Sequence, residues 1–158
     1  MKKQKEMIPR HIRRLLGKTD FINVATCTLS RRPSGAFKFV LKVDGNDIYL
    51  VDFARARTWR NLRENPFASL SFLDEETLVD YQLNGPVEII DGGRFFETLD
   101  DELDKKEVTF ATKRVIESVR RQKKFPVNEI PLAKRVVILK VTVEETVELG
   151  PAAELKQR

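Results

Sequence analysis

Apolar and polar residues alternate with a period of two over much of the chain, which is typical of β-strands that bury one face. In the stretch 36–43 this pattern places Phe37 and Phe39 on one face and predicts that Lys38 and Lys42 share the other. Turn-forming residues separate the alternating stretches. The pattern predicts six strands, at 21–29, 36–43, 48–53, 67–74, 78–90 and 135–149.

The first 18 residues follow a helical period instead. Ile8, Ile12, Leu15 and Leu16 fall on one stripe, and Gly17 is a suitable helix end, so 1–18 is predicted to be an N-terminal helix.

A second helix is predicted at 54–65, where Pro66 ends it. Two more are expected between the fifth and sixth strands, the later one around 108–119. Gly85-Pro86 predicts a bulge or bend within the long fifth strand, and 150–158 is expected to be a frayed tail.

Six short strands with few helices predict a mainly β fold, an antiparallel barrel of six strands with flanking helices. No repeat or shift of composition divides the 158 residues, so 1–158 is expected to be a single domain.

Composition narrows the class of protein. Hydrophobic residues make up 41% and charged residues 34%, which is ordinary for a globular protein. No apolar run is long enough for a transmembrane helix, and the N-terminus lacks the apolar core of a secretory signal. The single cysteine, Cys27, cannot form an internal disulfide. These features predict a cytoplasmic protein without a membrane partner.

The net charge of +5 raises the chance of an anionic partner. Basic residues cluster near the N-terminus and at 114–124, with an acidic block at 100–104 between them, and we expect these to be solvated helix faces. They do not form a basic stripe with interleaved aromatic residues, so nucleic acid is a disfavoured partner. The acidic block lacks the spacing of a calcium loop, and His11 is the only histidine, so no metal site is expected.

Candidate chemistry lies where the third strand meets the second predicted helix. Arg55, Arg57 and Thr58 occur at this junction, and the first turn of a helix attracts anions through its unpaired N–H groups and its dipole. The hypothesis is a phosphate pocket, to which Lys38 and Lys42 could also point. The alternative is that the arginines are solvated and Thr58 only caps the helix.

Five segments in order resemble the pyridoxamine 5′-phosphate oxidase-like FMN-binding split-barrel family. They are 21–26 (FINVAT), 32–36 (RPSGA), 47–51 (DIYLV), 57–66 (RTWRNLRENP) and 83–90 (LNGPVEII). The resemblance covers residues 8–91, with a looser match for the final strand. It implies a six-stranded antiparallel Greek-key split barrel that forms a homodimer with FMN at the subunit interface.

The resemblance also implies roles for individual residues. Arg57 and Thr58 match positions that hold the FMN phosphate, and Lys42 matches a lysine near that phosphate. The second strand is expected to lie behind the flavin ring at Lys38, Val40 and Leu41, with backbone groups reaching the polar edge of the ring. A later strand is expected to contact the ring through Gln82.

Two departures limit the transfer. Ala56 stands where the family often has a serine, and 135–158 lacks the arginine and histidine segment with which the oxidase grips its pyridoxal substrate. Vitamin B6 oxidation is therefore not expected, whereas flavin binding is. Trp59 could stack on the flavin or pack against protein, and Cys27 could be a core residue or a flavin-adjacent thiol.

The sequence thus predicts an FMN-dependent oxidoreductase acting on a small molecule or a redox partner. No acid–base pair is evident, so no catalytic residue is named. A non-catalytic flavin carrier or electron-transfer protein is one alternative, and a nucleic-acid-binding barrel is another. FMN is preferred to deazaflavin, FAD or haem because the phosphate positions match best and no haem ligand other than His11 is evident.

Overall fold

The structure is a computed structural model that describes residues 6–52, 56–106, 136–150 and 155–157. Strands dominate the described part, with one helix before them and two between them. In chain order the elements are α1 (Arg10–Leu16), β1 (Phe21–Cys27), β2 (Pro33–Asp44), β3 (Asp47–Asp52), α2 (Arg57–Glu64), β4 (Phe67–Asp74), β5 (Val79–Ile90), α3 (94–106), β6 (Val137–Thr142), β7 (Glu145–Leu149) and β8 (Leu155–Gln157).

Six of these strands close into a ring. Their order is β4-β1-β2-β3-β6-β5, and a further pairing of β4 with β5 completes the barrel. Every pairing is antiparallel. The predicted six-stranded antiparallel barrel is therefore confirmed. Closure pairs both edges of each strand, which leaves no open sheet edge in the ring.

The barrel interior is filled by aliphatic side chains from alternate strand positions. Each such side chain contributes about 1.5–3 kcal/mol to folding when fully buried. The best-buried members on the six strands are Ile22, Val24, Ile48, Leu50, Leu70, Leu83, Leu139 and Val141.

Helix α1 covers one end of the barrel, as the predicted apolar stripe requires. Ile8, Ile12 and Leu16 are buried in the same cluster as the strand residues. The segment before the helix is held at both polar groups of Met7, because its N–H donates to Asn46 Oδ1 at 2.9 Å and its carbonyl accepts from Thr146 Oγ1 at 2.6 Å.

Strand β5 bends at the predicted position. On one edge, residues 80–84 pair with β7 and residues 87–90 pair with β6, so the strand changes partner at Gly85-Pro86. A Cβ on Gly85 would lie 1.9 Å from the carbonyl oxygen of Thr142, so only glycine fits this approach of two backbones.

The C-terminal region differs from expectation. The single strand predicted at 135–149 is two strands, because the chain breaks at Val143-Glu144 and the Glu144 N–H donates to the Asn84 carbonyl at 2.9 Å. Within the tail expected to fray, Leu155–Gln157 pair with β7, and Gln157 Nε2 donates to Glu145 Oε1. The helix predicted at 108–119 lies outside the described residues.

The close approach at Gly85 generates a first prediction. Gly85→Ala is expected to lower the free energy of unfolding by about 2–3 kcal/mol, because the added methyl group would force the Gly85 and Thr142 backbones apart. Chemical denaturation measures this change. Gly92→Ala is the matched control, since no atom lies within 4 Å of its Cβ position, and it should change stability by less than about 1 kcal/mol. Equal effects of the two changes would contradict this account of Gly85.

Candidate functional site

The junction between β3 and α2 carries the predicted phosphate residues. Helix α2 begins at Arg57, and Ala56 at its N-cap makes no side-chain hydrogen bond to the first turn. The N-cap side chain therefore leaves the first N–H groups of the helix uncapped. Arg57 is exposed and makes no ion pair with the described residues, whereas Thr58 is 3% exposed.

Helix α2 is fixed to the end of β1 by its own side chains. Asn61 Nδ2 donates to Thr26 Oγ1 at 3.0 Å, and Asn65 Nδ2 donates to the Cys27 carbonyl at 3.1 Å. Leu62 reaches the barrel core between these two bonds. Thr58, Asn61 and Leu62 thus form the buried face of the helix, and Arg57 lies outside that face.

The two asparagines are anchors that sequence reasoning did not assign. The signal for Asn61 was its spacing: a polar residue at helical spacing between Thr58 and Leu62 lies on the inward face, where it requires a polar partner.

The predicted grouping of Lys38 with Lys42 is wrong. Lys38 points into the barrel, where its Nζ lies 2.8 Å from Asp52 Oδ1. Lys42 points outwards to Glu102 on α3. The two lysines are separated because β2 carries a bulge: Val40 pairs with Leu50, and Lys42 pairs with the next residue, Tyr49.

The same bulge separates Val40 from Leu41. Val40 belongs to the barrel interior, and Leu41 belongs to a second apolar cluster on the outer face of the barrel. Helix α3 covers this outer cluster with two fully buried leucines. The buried members of the cluster are Phe39, Leu41, Tyr49, Val51, Leu99, Leu103 and Ile138.

Two side chains of α3 occupy polar groups of β2. Lys106 Nζ donates to the Val40 carbonyl at 3.0 Å, so one of the backbone groups expected to reach a flavin is already hydrogen-bonded. Lys42 Nζ lies 3.2 Å from Glu102 Oε1 and 5.1 Å from the centre of the Tyr49 ring. The acidic block at 100–104 was expected to be a solvated face, but Glu102 within it balances the charge of Lys42.

A row of charged groups continues from Lys42 across β3 and β6. Burial raises the pKa of the Tyr49 hydroxyl, and the nearby Asp47 carboxylate raises it further. Partial burial lowers the pKa of Lys140, but Asp47, Tyr49 and Glu88 outweigh that effect and raise it. Lys140 Nζ lies 3.6 Å from both Asp47 Oδ2 and Glu88 Oε2. Both shifts favour the protonated form of the group.

Gln82 lies on a different outer face, formed by β5, β4, β1 and β2. In cross-strand register, Gln82 pairs with Ser71, Ser71 with Asn23, and Asn23 with Phe37. Phe37 is 74% exposed. We call this surface the outer sheet face; its other members are Ala25, Gly35, Phe67 and Ser69.

The remaining candidates have ordinary surroundings. His11 Nε2 lies 3.3 Å from Glu148 Oε1, next to Tyr81. No set of three or more potential metal ligands converges among the described residues. Nor does that part of the chain contain a helix that is sufficiently long and apolar to span a membrane.

The sequence model of the pyridoxamine 5′-phosphate oxidase family matches residues 8–148. The chain belongs to this family. The matched residues include every residue of the predicted site. A search of curated proteins finds no significant match.

Solved structures of the pyridoxamine 5′-phosphate oxidase fold are similar along the whole chain. A Clostridium acetobutylicum protein related to general stress protein 26 superposes with a TM-score of 0.67 at 17% identity, over 98% of this chain and 96% of that one. A Nostoc punctiforme protein described as FMN binding has a TM-score of 0.54 at 13% identity, over 94% of this chain and 90% of that one.

A third solved structure shares the fold but belongs to a protein that binds heme and not FMN by its description. It is a heme binding protein from Mycobacterium smegmatis, with a TM-score of 0.64 at 15% identity, over 100% of this chain and 59% of that one. At these identities the three solved structures show the fold alone, and the fold does not single out one cofactor.

The chain's two tyrosines allow a test of the electrostatics of the barrel. Burial raises the pKa of both Tyr49 and Tyr81 above 10.0. The folded protein should therefore form tyrosinate at higher pH than the unfolded chain, and stability should fall as the pH rises through 10 because the unfolded state loses these protons first. Ultraviolet absorbance of tyrosinate, with and without denaturant, measures this difference. Tyr49→Phe should remove one of the two late titrations; two native tyrosines titrating at the unfolded pKa would contradict the prediction.

Proposed function

We propose that the chain binds FMN and is a flavin-dependent oxidoreductase of the pyridoxamine 5′-phosphate oxidase family. The observation that carries the proposal is the start of α2, where the exposed Arg57 guanidinium stands beside Thr58 and a helix end that lacks a side-chain cap. Helix N–H groups, a guanidinium and a hydroxyl are the donors that suit a phosphate dianion.

The residues fit a phosphate better than they fit a haem. Histidine is a frequent axial ligand of haem iron, and His11, the chain's only histidine, lies on α1 with Glu148 as its partner. FMN, when bound, would supply the ability to accept a hydride or two electrons. Arg57 and Thr58 would hold its phosphate and so orient the ring.

The other predicted residues fit in different ways. Lys42 is paired with Glu102, so it can add a second positive charge to the site only when that ion pair is broken. Leu41 faces the outer cluster beside it. Lys38 and Val40 point into the barrel, so direct contact of their side chains with FMN is not part of the proposal. Gln82 lies on the outer sheet face and would contact FMN only if that face joins a partner subunit.

The test is the affinity for FMN of Arg57→Ala. Loss of a charged hydrogen-bond donor should weaken FMN binding by about 1.5–3 kcal/mol, measured by quenching of flavin fluorescence. Arg60→Ala is the matched control, because Arg60 is an exposed arginine of the same helix, one turn later, and its removal should leave the affinity within about threefold of wild type.

An unchanged affinity of Arg57→Ala, or an equal loss in both variants, would contradict the phosphate role. If FMN binds as expected, steady oxidation of NADH or NADPH would support the oxidoreductase, and its absence would favour a flavin carrier. A salt-dependent shift of random DNA without flavin binding would favour the nucleic-acid-binding alternative.

We further propose that the active form is a homodimer joined through the outer sheet face. Phe37 exposes most of its ring beside the small residues Gly35 and Ala25, and Phe67 is 51% exposed at the edge of this face. Exposed aromatic residues around small ones are typical of surfaces that bind another protein. A twofold dimer through this face would place Gln82 at or near the interface.

The dimer proposal predicts that Phe37→Glu converts the protein to a monomer, because a buried carboxylate would lack a partner. Sedimentation velocity measures the change. Leu78→Glu is the control: Leu78 is 60% exposed and lies in the β4–β5 turn, so it is not a member of the outer sheet face, and the dimer should persist. A dimer that survives Phe37→Glu would place the interface elsewhere.

A further inference from the structure

The turn between β1 and β2 holds an arginine in a backbone conformation that favours glycine. Arg31 has a φ of 63°, in the left-handed region where a residue with a Cβ is strained. Its N–H donates to the Thr28 carbonyl at 3.0 Å, and the Thr28 N–H donates to the Arg32 carbonyl at 3.1 Å. Glycine would form the same backbone bond without strain. The turn itself therefore does not require the Arg31 side chain.

Contacts elsewhere in the described fold do not account for that side chain either. Arg31 and its neighbour Arg32 are exposed, and neither forms an ion pair with a residue that the structure describes. Leu29 in the same turn is 73% exposed. The tip of the hairpin thus presents two cations and an apolar side chain to solvent, on a backbone that local hydrogen bonds hold in place.

Helix α2 adds positive charge at the same end of the barrel. Asn65, which follows the helix, donates from Nδ2 to the carbonyl of Cys27, the residue before the turn. Arg60 and Arg63 on this helix are exposed, and within the described ranges no carboxylate pairs with them. Both are separate from Arg57, to which the proposed function assigns the flavin phosphate.

We call this surface the arginine patch; its cations are Arg31, Arg32, Arg60 and Arg63. The two segments that carry the patch, 28–34 and 59–64, contain these four arginines and a single acidic residue, Glu64. Guanidinium groups without counter-ions attract anions and bind phosphates bidentately. Because the four arginines lie on two elements, the patch suits an extended polyanion better than a single small anion.

The neighbours of the arginines indicate which polyanion fits. Ser30 is exposed at the tip of the turn, and Trp59 is partly exposed on α2 with the Arg63 guanidinium 4.9 Å from the centre of its ring. Arginine and hydroxyl side chains contact the phosphate backbone of nucleic acids, and aromatic rings stack on the bases of single strands. An acidic protein would offer carboxylates to the arginines but no base to the tryptophan.

We infer that the arginine patch binds single-stranded nucleic acid, as an activity separate from the proposed flavin site. None of its four arginines is assigned to the flavin phosphate, so the inference does not depend on FMN. The sequence disfavoured nucleic acid because its densest basic clusters, near the N-terminus and at 114–124, lack interleaved aromatic residues. The arginine patch belongs to neither cluster, and its two segments meet where α2 packs on β1.

The test is binding of the full chain to a labelled oligothymidylate of about 16 nucleotides, measured by fluorescence anisotropy with and without FMN. Wild-type affinity should fall steeply with salt, because each phosphate contact releases a counter-ion. Arg60→Glu/Arg63→Glu should weaken binding about tenfold or more and reduce the dependence on salt. Arg10→Glu/Arg14→Glu is the control: it makes the same change of charge on exposed residues of α1, at the end of the barrel that carries the β2–β3 turn, and should leave the affinity within about threefold of wild type.

Arg31→Gly provides a variant that should fold as well as wild type, because glycine accepts the left-handed φ. It should still bind the oligothymidylate about threefold more weakly or worse, since one cation is lost. Thermal stability is measured for every variant, and Arg31→Gly carries the test if the double charge reversal on α2 does not fold. Emission of Trp59, the only tryptophan, should be quenched when the oligothymidylate binds, because a base would stack on the ring.

Equal losses in Arg60→Glu/Arg63→Glu and in the control would overturn the inference, because binding would then follow net charge alone. Binding without quenching of Trp59 would overturn it, as would polyglutamate that competes as well as the oligothymidylate, since the patch would then fit an acidic protein. If the oligothymidylate binds as expected but FMN does not, the proposed function fails while the inference stands. FMN binding without any binding of the oligothymidylate overturns the inference alone.

Discussion

A single extra residue in β2 determines how the two faces of the barrel wall are used. Leu41 is inserted between Val40, which pairs with Leu50, and Lys42, which pairs with Tyr49. Before the bulge, Lys38 and Val40 point inwards; after it, Leu41 and Lys42 serve the outer cluster under α3. The bulge therefore places two consecutive side chains, Leu41 and Lys42, on the face that α3 covers. Without the bulge, Lys42 would point into an apolar interior.

Much of the fold could be predicted from local patterns. The period of two gave the six barrel strands, and Gly85-Pro86 marked the bend of β5. The break between β6 and β7 could not be predicted, because it depends on a hydrogen bond from Glu144 to Asn84, about 60 residues earlier in the chain. The bulge at Leu41 was missed for a related reason: the apolar run Phe39-Val40-Leu41 interrupts the alternation, but only the pairing with β3 shows that the strand carries an extra residue there.

The candidate site likewise combines features that are local in the sequence with contacts that depend on packing. The position of Arg57 and Thr58 at the start of a helix was predictable because the junction of a strand and a helix is a local feature of the sequence, whereas their phosphate role stays a prediction. The partners of the lysines were not. Glu102 is 60 residues from Lys42 and Lys106 is 66 residues from Val40, so only the packing of α3 brings them together. The sequence predicted that Lys42 points towards the phosphate, whereas in the fold Lys42 pairs with Glu102.

This compensation places the positive character of the site on α2. Lys38 is balanced by Asp52 and Lys42 by Glu102, so neither lysine offers a full charge to an incoming phosphate. Arg57, which makes no ion pair among the described residues, and the N-terminal end of α2 remain. A helix end contributes about 0.3–1 kcal/mol to an exposed anion, and a charged hydrogen bond about 1.5–3 kcal/mol. Arg57 therefore outweighs the helix dipole, and the precision with which the fold holds the first turn of α2 matters more than the total charge of the protein.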